Sequence, residues 1–320
     1  MHVRYYKEYS QHLQRDMEFK VYGHAGLPMI VFPCQDGKFY DFEDRGMVNT
    51  IADRLENGQL QLFCVGCVDA ETWSAAWGDQ HGRILWHEQW FRYLCEEFLP
   101  RLHQIHSETD GVSYEGRVML AGMSMGGYHC VNLYLRRPDL FGGCLSLSGL
   151  FHAGYFFPNY DDVDIYYNSP VDYLPQMPQD HPLVEQFRHG KIIICCGQGA
   201  WEDEAKKDAW ILKEQFEIRK NKVLDLIESY AKEYAQDWKD IGIFASYARG
   251  EANGLSDIDI CIIAEKSSSY ISGALQEDAN VLKADIVFVT KEQFLHSSCT
   301  LCQDLRRDIK FVKGCDFIEK

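Results

Sequence analysis

The chain has 320 residues, of which 46% are hydrophobic, and a formal net charge of −16. This length and composition are typical of a globular protein with one large core or two moderate ones. Because phosphate backbones and anionic membranes bind clustered lysine and arginine, the acidic charge argues against nucleic acid and membrane as partners. Small molecules and other proteins are the expected partners.

The twelve cysteines stand mostly inside apolar runs, where they act as small buried side chains and not as a disulfide framework. Cys299 and Cys302 form one Cys-x-x-Cys pair, but no second pair of metal ligands accompanies it. The first residues lack the apolar run of a signal peptide, and no run approaches about 18 apolar residues. We therefore expect a cytoplasmic protein.

Strands and helices alternate over roughly the first 200 residues, which predicts a mostly parallel, doubly wound α/β sheet. A long amphipathic helix is expected at 84–105, broken near Pro100. Residues 16–33 begin with an alternating pattern that predicts a strand, followed by a Gly-rich turn. Apolar runs bounded by turn residues predict buried strands at 28–32, 60–69, 117–122, 142–149 and 190–196.

The composition of the sequence changes near residue 213, where a long charged helix is predicted to begin. Three short apolar strands follow it, with their own periodicity. We therefore predict two domains, residues 1–217 and residues 218–320, the second being a small α+β domain.

Residues 121–127 read AGMSMGG, a G-x-S-x-G pattern between a predicted strand and a predicted helix. In that context the glycines permit a strained turn that exposes the hydroxyl of Ser124 above the sheet. The pattern alone is common, but its position between a predicted strand and a predicted helix favours a nucleophile at Ser124.

With this turn, residues 1–216 resemble the esterase family of the α/β-hydrolase fold that includes esterase D-like and enterochelin-esterase-like proteins. The resemblance covers RDMEFKVYGHAGLPMIVFPCQDGKFYDFEDRGM, HEQWFRYLCEEFLP, AGMSMGG and GQGAWEDE. It implies that Ser124 is the nucleophile and that the N–H of Met125 is one oxyanion donor. The loop PCQDG would supply the other donor, from Gln35.

In this family the acid follows the seventh strand and the histidine follows the eighth. Asp203 stands at the expected place of the acid, with its neighbours Glu202 and Glu204 as alternatives. After His189, however, the next histidine is His296, in the second domain. We therefore expect a hydrolase truncated before its last strand, without its base and with negligible ester hydrolysis, since the other histidines are expected to be packing or surface residues.

A second constellation lies in ASYARGEANGLSDIDI, residues 245–260. Asp257 and Asp259, two residues apart on a strand, project from one face and can share hard cations. Asp285 stands inside another apolar strand, where an isolated charge is costly and a cation is its natural partner. Singly, each aspartate fits a solvated loop or strand end, but together they predict a metal site.

Residues 218–320 resemble the DNA polymerase β-like nucleotidyltransferases, specifically the minimal type, whose motif is Gly-Ser, about ten residues, then Asp-x-Asp. The resemblance implies that Asp257 and Asp259 bind Mg²⁺. Asp285 would be the third carboxylate and a candidate general base, while Ser246 and Arg249 would hold the phosphates of ATP.

The motif glycine is Ala245 in this chain, and its methyl group would oppose a positive φ or crowd the phosphates. The resemblance further implies a HEPN-type toxin protein as a candidate partner and AMP acceptor.

The sequence thus predicts a metal-dependent nucleotidyltransferase fused to a degenerate esterase. Two alternatives stay open: a serine esterase that uses Ser124 with a displaced base, and a non-catalytic protein that binds a partner.

Overall fold

The computed structural model describes residues 1–158, 161–178, 181–234, 238–245, 248, 258–264, 269–282 and 284–313. The chain forms two compact units, Met1–Lys213 and Glu214–Lys320. Each has its own sheet and its own hydrophobic clusters. The predicted domain bounds, residues 1–217 and 218–320, stay a prediction.

The first unit contains a seven-stranded sheet with the order β1-β2-β4-β3-β5-β6-β7. Its strands are β1 (Val3–Ser10), β2 (Arg15–Tyr22), β3 (Leu27–Phe32), β4 (Leu60–Val65), β5 (Val118–Met123), β6 (Phe141–Leu147) and β7 (Lys191–Cys195). The strands from β4 to β7 in this order pair in parallel, whereas β1 and β2 are antiparallel to their neighbours.

The sequence patterns predict every strand of this sheet except β1, whose side chains are mostly exposed. At the other end of the order, β7 pairs only with β6 within the described residues. Alternate side chains of β7 are exposed, and Ile193 is 48% exposed.

Helices cover both faces of this sheet. They are α1 (Asp41–Asp44), α2 (Met47–Thr50), α3 (Ala52–Glu56), α4 (Gln80–Arg92), α5 (Leu99–Asp110), α6 (Met125–Arg136), α7 (Val163–Tyr167), α8 (Pro170–Tyr173), α9 (Pro182–Arg188) and α10 (Asp203–Tyr234), which extends into the second unit. One face buries Val48 and Leu55 of α2 and α3, and the other buries apolar residues of α4, α5 and α6.

The predicted break near Pro100 takes a different form. A π-helical segment, Tyr93–Phe98, joins α4 to α5 without leaving helical backbone geometry, and Pro100 occupies the first turn of α5. Proline lacks an N–H to donate, so the wider turn before it accommodates the lost hydrogen bond while the helix continues.

The second unit is built on a four-stranded sheet with the order β10-β9-β8-β11. Its strands are β8 (Trp238–Ile243), β9 (Ile258–Ala264), β10 (Ala284–Thr290) and β11 (Lys310–Lys313), of which the sequence analysis missed β11. Its further helices are α11 (Ser269–Val281), α12 (Lys291–His296) and α13 (Thr300–Asp308).

Successive side chains of β9 point to opposite faces of this sheet, and both faces are buried. Ile258, Ile260 and Ile262 pack with α11, whereas Cys261 and Ile263 pack with α12 and α13. No helix in the described part of the chain combines the length and apolar composition needed to cross a membrane.

Candidate functional site

Ser124 lies on a strained turn between β5 and α6. Its backbone has φ 54° and ψ −120°, a conformation that L-residues rarely adopt, and the residue is exposed. A Cβ atom added to Gly126 would lie 2.4 Å from the carbonyl oxygen of Pro33, and one added to Gly122 would lie 2.2 Å from that of Gly126. The two glycines of the motif are therefore required by close approach of the backbone.

The predicted oxyanion donors come from neighbouring strand ends. Phe32, at the end of β3, is in register with Gly122 of β5, so the loop containing Gln35 leaves the sheet beside the turn at Ser124. Met125 is the first residue of α6, where N–H groups lack acceptors within the helix. The side chain of Gln35 donates to Ser74 Oγ at 2.7 Å. The oxyanion role of both residues stays a prediction.

The predicted acid, Asp203, begins α10 and its side chain is 79% exposed. It pairs with Lys206 at 2.7 Å, and within the described first unit it forms no ion pair or hydrogen bond with a histidine. Its catalytic role stays a prediction.

A more deeply buried carboxylate, Asp208, lies five residues further along α10 and was missed by sequence reasoning. It accepts hydrogen bonds from the N–H groups of Phe151 (2.7 Å) and His152 (3.1 Å) and from the Tyr155 hydroxyl (3.1 Å). Burial nevertheless raises the pKa of Asp208. This carboxylate fixes the loop that follows β6, at the same end of the sheet as Ser124.

Within the described residues of the first unit, the hydroxyl of Ser124 forms no hydrogen bond with an imidazole. His129, five residues beyond it on the same helix, is fully buried, and its Nε2 lies 2.8 Å from Asp69 Oδ1. His152 lies on the loop after β6 with its Nε2 3.5 Å from Asp172 Oδ2.

The pair of His129 and Asp69 belongs to a buried polar network beneath the turn. The ring of His87 stacks on that of His129 with centroids 5.6 Å apart, and its Nδ1 accepts a hydrogen bond from Trp73 Nε1 at 3.2 Å. Burial lowers the pKa of His87 to about 3, so this imidazole is neutral at physiological pH. The network links α4, α6 and the loop after β4, and no periodic pattern in the sequence indicates it.

One group of possible metal ligands lies elsewhere in the first unit. Ligand atoms of His81, Asp162 and Asp164 lie within 4.8 Å of one another. His81 Nδ1 is already 2.6 Å from Asp162 Oδ2, and Asp162 caps the N-terminus of α7. Because the residues stand at helix N-termini, whose partial positive charge disfavours cations, this cluster is a poor metal site.

The aspartates of the second unit lie on parallel strands. Asp259 of β9 and Asp285 of β10 are direct partners in the parallel register, so their side chains are neighbours on one face of the sheet. Asp259 is half-buried and Asp285 is exposed. Asp257, Ser246 and Arg249 lie outside the described residues, and their predicted roles stay predictions.

Another aspartate of this unit, Asp240 of β8, is buried. It is paired with Ile263, four residues along β9 from Asp259, a separation of about 13 Å at the usual rise of a strand. Asp240 is therefore distant from the candidate metal ligands.

Ala245 adopts the conformation that the motif glycine would favour. Its φ is +54°, in the left-handed region where a Cβ atom costs roughly 1–2 kcal/mol. The departure from the motif noted in the sequence therefore has a structural cost in the second unit.

An exposed serine on a strained strand-to-helix turn, at the carboxyl end of a mostly parallel sheet, is the arrangement of serine hydrolases of the α/β class. A family model described as "Putative esterase" matches residues 10–246, and one described as "Nucleotidyltransferase domain" matches residues 224–313. The chain belongs to this esterase family, and its C-terminal part is a nucleotidyltransferase domain. The esterase match extends beyond the first compact unit, and the truncation of the hydrolase stays a prediction.

Two known proteins are similar to different parts of this chain. A "Putative protein adenylyltransferase" of Methanocaldococcus jannaschii is 32% identical over 75 residues, which cover 22% of this chain and 87% of that protein. The solved structure of a ferulic acid esterase has a TM-score of 0.51 and 16% identity, covering 67% of this chain and 84% of that one. The predicted α/β-hydrolase fold followed by a small nucleotidyltransferase domain is confirmed.

The neutral, buried His87 predicts acid sensitivity of the first unit. An unfolded histidine binds a proton near pH 6.5 and the folded one only near pH 3, so stability falls as the pH falls through this window. At pH 4.5 the expected loss is about 2–3 kcal/mol relative to pH 7.5, and His87→Asn should remove most of this dependence. Urea denaturation at several pH values measures it, with the exposed His2→Asn as control. A stability that is flat from pH 7.5 to 4.5 would contradict a buried neutral imidazole.

The positive φ of Ala245 predicts that Ala245→Gly stabilises the second unit. Glycine relieves the left-handed strain, so the free energy of unfolding should rise by roughly 1 kcal/mol. The matched control is Ala279→Gly, a buried site within α11, where the same change should destabilise by about 1 kcal/mol. Chemical denaturation of the full chain distinguishes them, and loss of stability in both variants would exclude strain at Ala245.

Proposed function

We propose that the chain is a metal-dependent nucleotidyltransferase that transfers AMP from ATP to a protein or small-molecule acceptor. The observation that supports this most directly is the in-register pairing of Asp259 and Asp285 on parallel strands of the nucleotidyltransferase domain. Adjacent carboxylates are hard oxygen donors, which Mg²⁺ prefers, so these residues fit the metal that the domain family requires.

Each residue has a proposed role. Asp257 and Asp259 hold Mg²⁺, and Asp285 contributes the third carboxylate and accepts the proton of the attacking hydroxyl. Bound Mg²⁺ would neutralise charge on the triphosphate as the leaving group departs. Ser246 and Arg249 hold the phosphates through a hydroxyl and a guanidinium, the latter being suited to bidentate contact with phosphate oxygens.

A protein is the preferred acceptor. The matched relative from Methanocaldococcus jannaschii carries the name of a protein adenylyltransferase and is similar to this chain over 75 residues. We propose a HEPN-type toxin protein as the partner, in which case the chain would act as its antitoxin.

ATP binding tests the metal site without knowledge of the acceptor. In the full chain, Asp259→Asn and Asp285→Asn should weaken Mg²⁺-dependent ATP binding at least about tenfold, since even outer-shell partners of a metal are worth that much. Asparagine keeps the volume of the side chain but removes the charge that attracts the cation. Isothermal titration with ATP, with and without Mg²⁺, is the measurement.

Glu277→Gln is the control for charge alone, because Glu277 is exposed on α11, which packs against the other face of the sheet. Equal ATP affinity in the wild type and in both aspartate variants would reject the site. Label transfer from α-labelled ATP to a purified HEPN-type protein then tests the acceptor. Binding of that protein without label transfer would favour the non-catalytic alternative.

Ester hydrolysis by Ser124 is a second candidate function. The exposed hydroxyl on its strained turn favours it. Against it stands the buried position of His129, the imidazole nearest to Ser124 along the chain. A serine without a base retains only the contribution of the oxyanion hole and of substrate binding, so we propose a slow residual activity.

The corresponding prediction is that the full chain hydrolyses p-nitrophenyl acetate far below the roughly 10 s⁻¹ of a median enzyme. Ser124→Ala should change this rate little, and the exposed Ser113→Ala serves as control. If an ordinary enzymatic rate is found and Ser124→Ala abolishes it, a displaced histidine acts as base and the first unit is an esterase.

A further inference from the structure

Two cysteines at the start of α13 have no part in the proposed transfer reaction. Cys299 is the N-cap residue of this nine-residue helix and is exposed, whereas Cys302, one turn further, is only 3% exposed. Cys302 packs in the apolar cluster formed by Phe244, Cys261, Ile263, Val289, Phe294 and Leu305. The two thiols therefore differ sharply in their access to solvent.

The sulfur of Cys299 is held in a polar environment at the helix end. Its Sγ accepts a hydrogen bond from the backbone N–H of Cys302 at 3.4 Å. The N–H of Cys299 donates to Ser297 Oγ at 3.3 Å, and the guanidinium of Arg306 binds the carbonyl of Ser297 at 2.7 Å. The N–H of Cys302 and the positive helix terminus stabilise negative charge on this sulfur.

These contacts give the two cysteine thiols different pKa values. The hydrogen bond with the Ser297 side chain, followed by those from Cys302, lowers the pKa of Cys299 to about 7, whereas burial raises the pKa of Cys302. At neutral pH roughly half of Cys299 is therefore a thiolate, near the optimum for attack on a disulfide. Cys302 remains a protonated thiol beside it.

We propose that Cys299 and Cys302 form a redox-active dithiol site that reacts with low-molecular-weight disulfides of the glutathione type. The geometry that supports this is an exposed sulfur at a helix N-terminus, which accepts a hydrogen bond from the backbone N–H of Cys302, the residue whose own thiol is buried. The proposal is independent of the nucleotidyltransferase assignment, because none of its residues is a proposed ligand of metal or nucleotide.

The reaction proceeds in two exchanges. The Cys299 thiolate attacks one sulfur of the small disulfide, forming a mixed disulfide and releasing one small thiolate. Cys302 then loses its proton to solvent and attacks Cys299 Sγ, which forms the 299–302 disulfide and releases the second small thiolate. The two cysteines are oxidised by two electrons, and the small disulfide is reduced to two thiols.

Oxidised glutathione added to the reduced full chain tests this. After quenching with iodoacetamide, trypsin releases one peptide, Glu292–Arg306, that contains both cysteines and no others. In the wild type this peptide should become resistant to alkylation and two hydrogen atoms lighter than the dithiol form. In Cys302→Ser, which lacks the second thiol, glutathione should stay attached to Cys299.

Three variants serve as controls. Cys299→Ser keeps a favourable N-cap residue, so the fold is retained while the reaction is lost. Ser297→Ala should slow the first exchange several-fold at pH 6.5, an effect that a merely structural role would not produce. Cys195→Ser removes an exposed cysteine outside any helix N-terminus and should leave the rate unchanged.

Two results would overturn the proposal. One is a peptide that remains fully alkylated after prolonged incubation with oxidised glutathione. The other is a mixed disulfide on Cys299 that persists in the wild type, because a buried Cys302 that never attacks cannot complete the cycle.

Discussion

Parallel pairing of neighbouring strands decides where the chemically important side chains of both units lie. In the first unit, the register of β3 with β5 places the loop after Phe32 beside the turn that presents Ser124. In the second, the register of β9 with β10 places Asp259 beside Asp285. Parallel strands have their carboxyl ends at one edge of a sheet and their amino ends at the other, so residues far apart in sequence meet at both edges. Ser124 follows the carboxyl end of β5, whereas Asp259 and Asp285 are the second residues of β9 and β10. The two glycines around Ser124 then allow the backbone to approach within a distance that excludes any side chain.

The sequence predicts those parts of the fold that depend on local pattern. Apolar runs and glycine positions identify the buried strands and the turn at Ser124, because burial on both faces and close backbone approach restrict composition directly. The pattern does not predict β1 or β11. In β1 most side chains are exposed, so the strand has no apolar run in the sequence. It is held in the sheet by its antiparallel pairing with β2.

Buried polar contacts were beyond prediction for a different reason. The pairing of Asp69 with His129 joins residues 60 positions apart, and Asp208 contacts a loop more than 50 positions away. A single sequence indicates neither, because the residue types are compatible with exposed positions as well. The buried state of His129 matters for the chemistry, since the same imidazole on the surface of α6 would be a candidate base. Enclosed against Asp69, Trp90 and His87, it supports the helix that presents Ser124.

The electrostatic energy of the in-register aspartates of the second unit bears on the proposed metal site. At the roughly 4.8 Å spacing of adjacent strands, two carboxylates repel each other by about 1–3 kcal/mol, depending on whether the local dielectric is closer to water or to a protein surface. The exposure of Asp285 keeps this cost near the lower value, whereas the half-buried position of Asp259 raises it. An apolar pair or a pair of opposite charges at these two positions would make the sheet more stable than two carboxylates do. At the proposed site a bound divalent cation would attract both carboxylates and so reverse the sign of this contribution to the free energy.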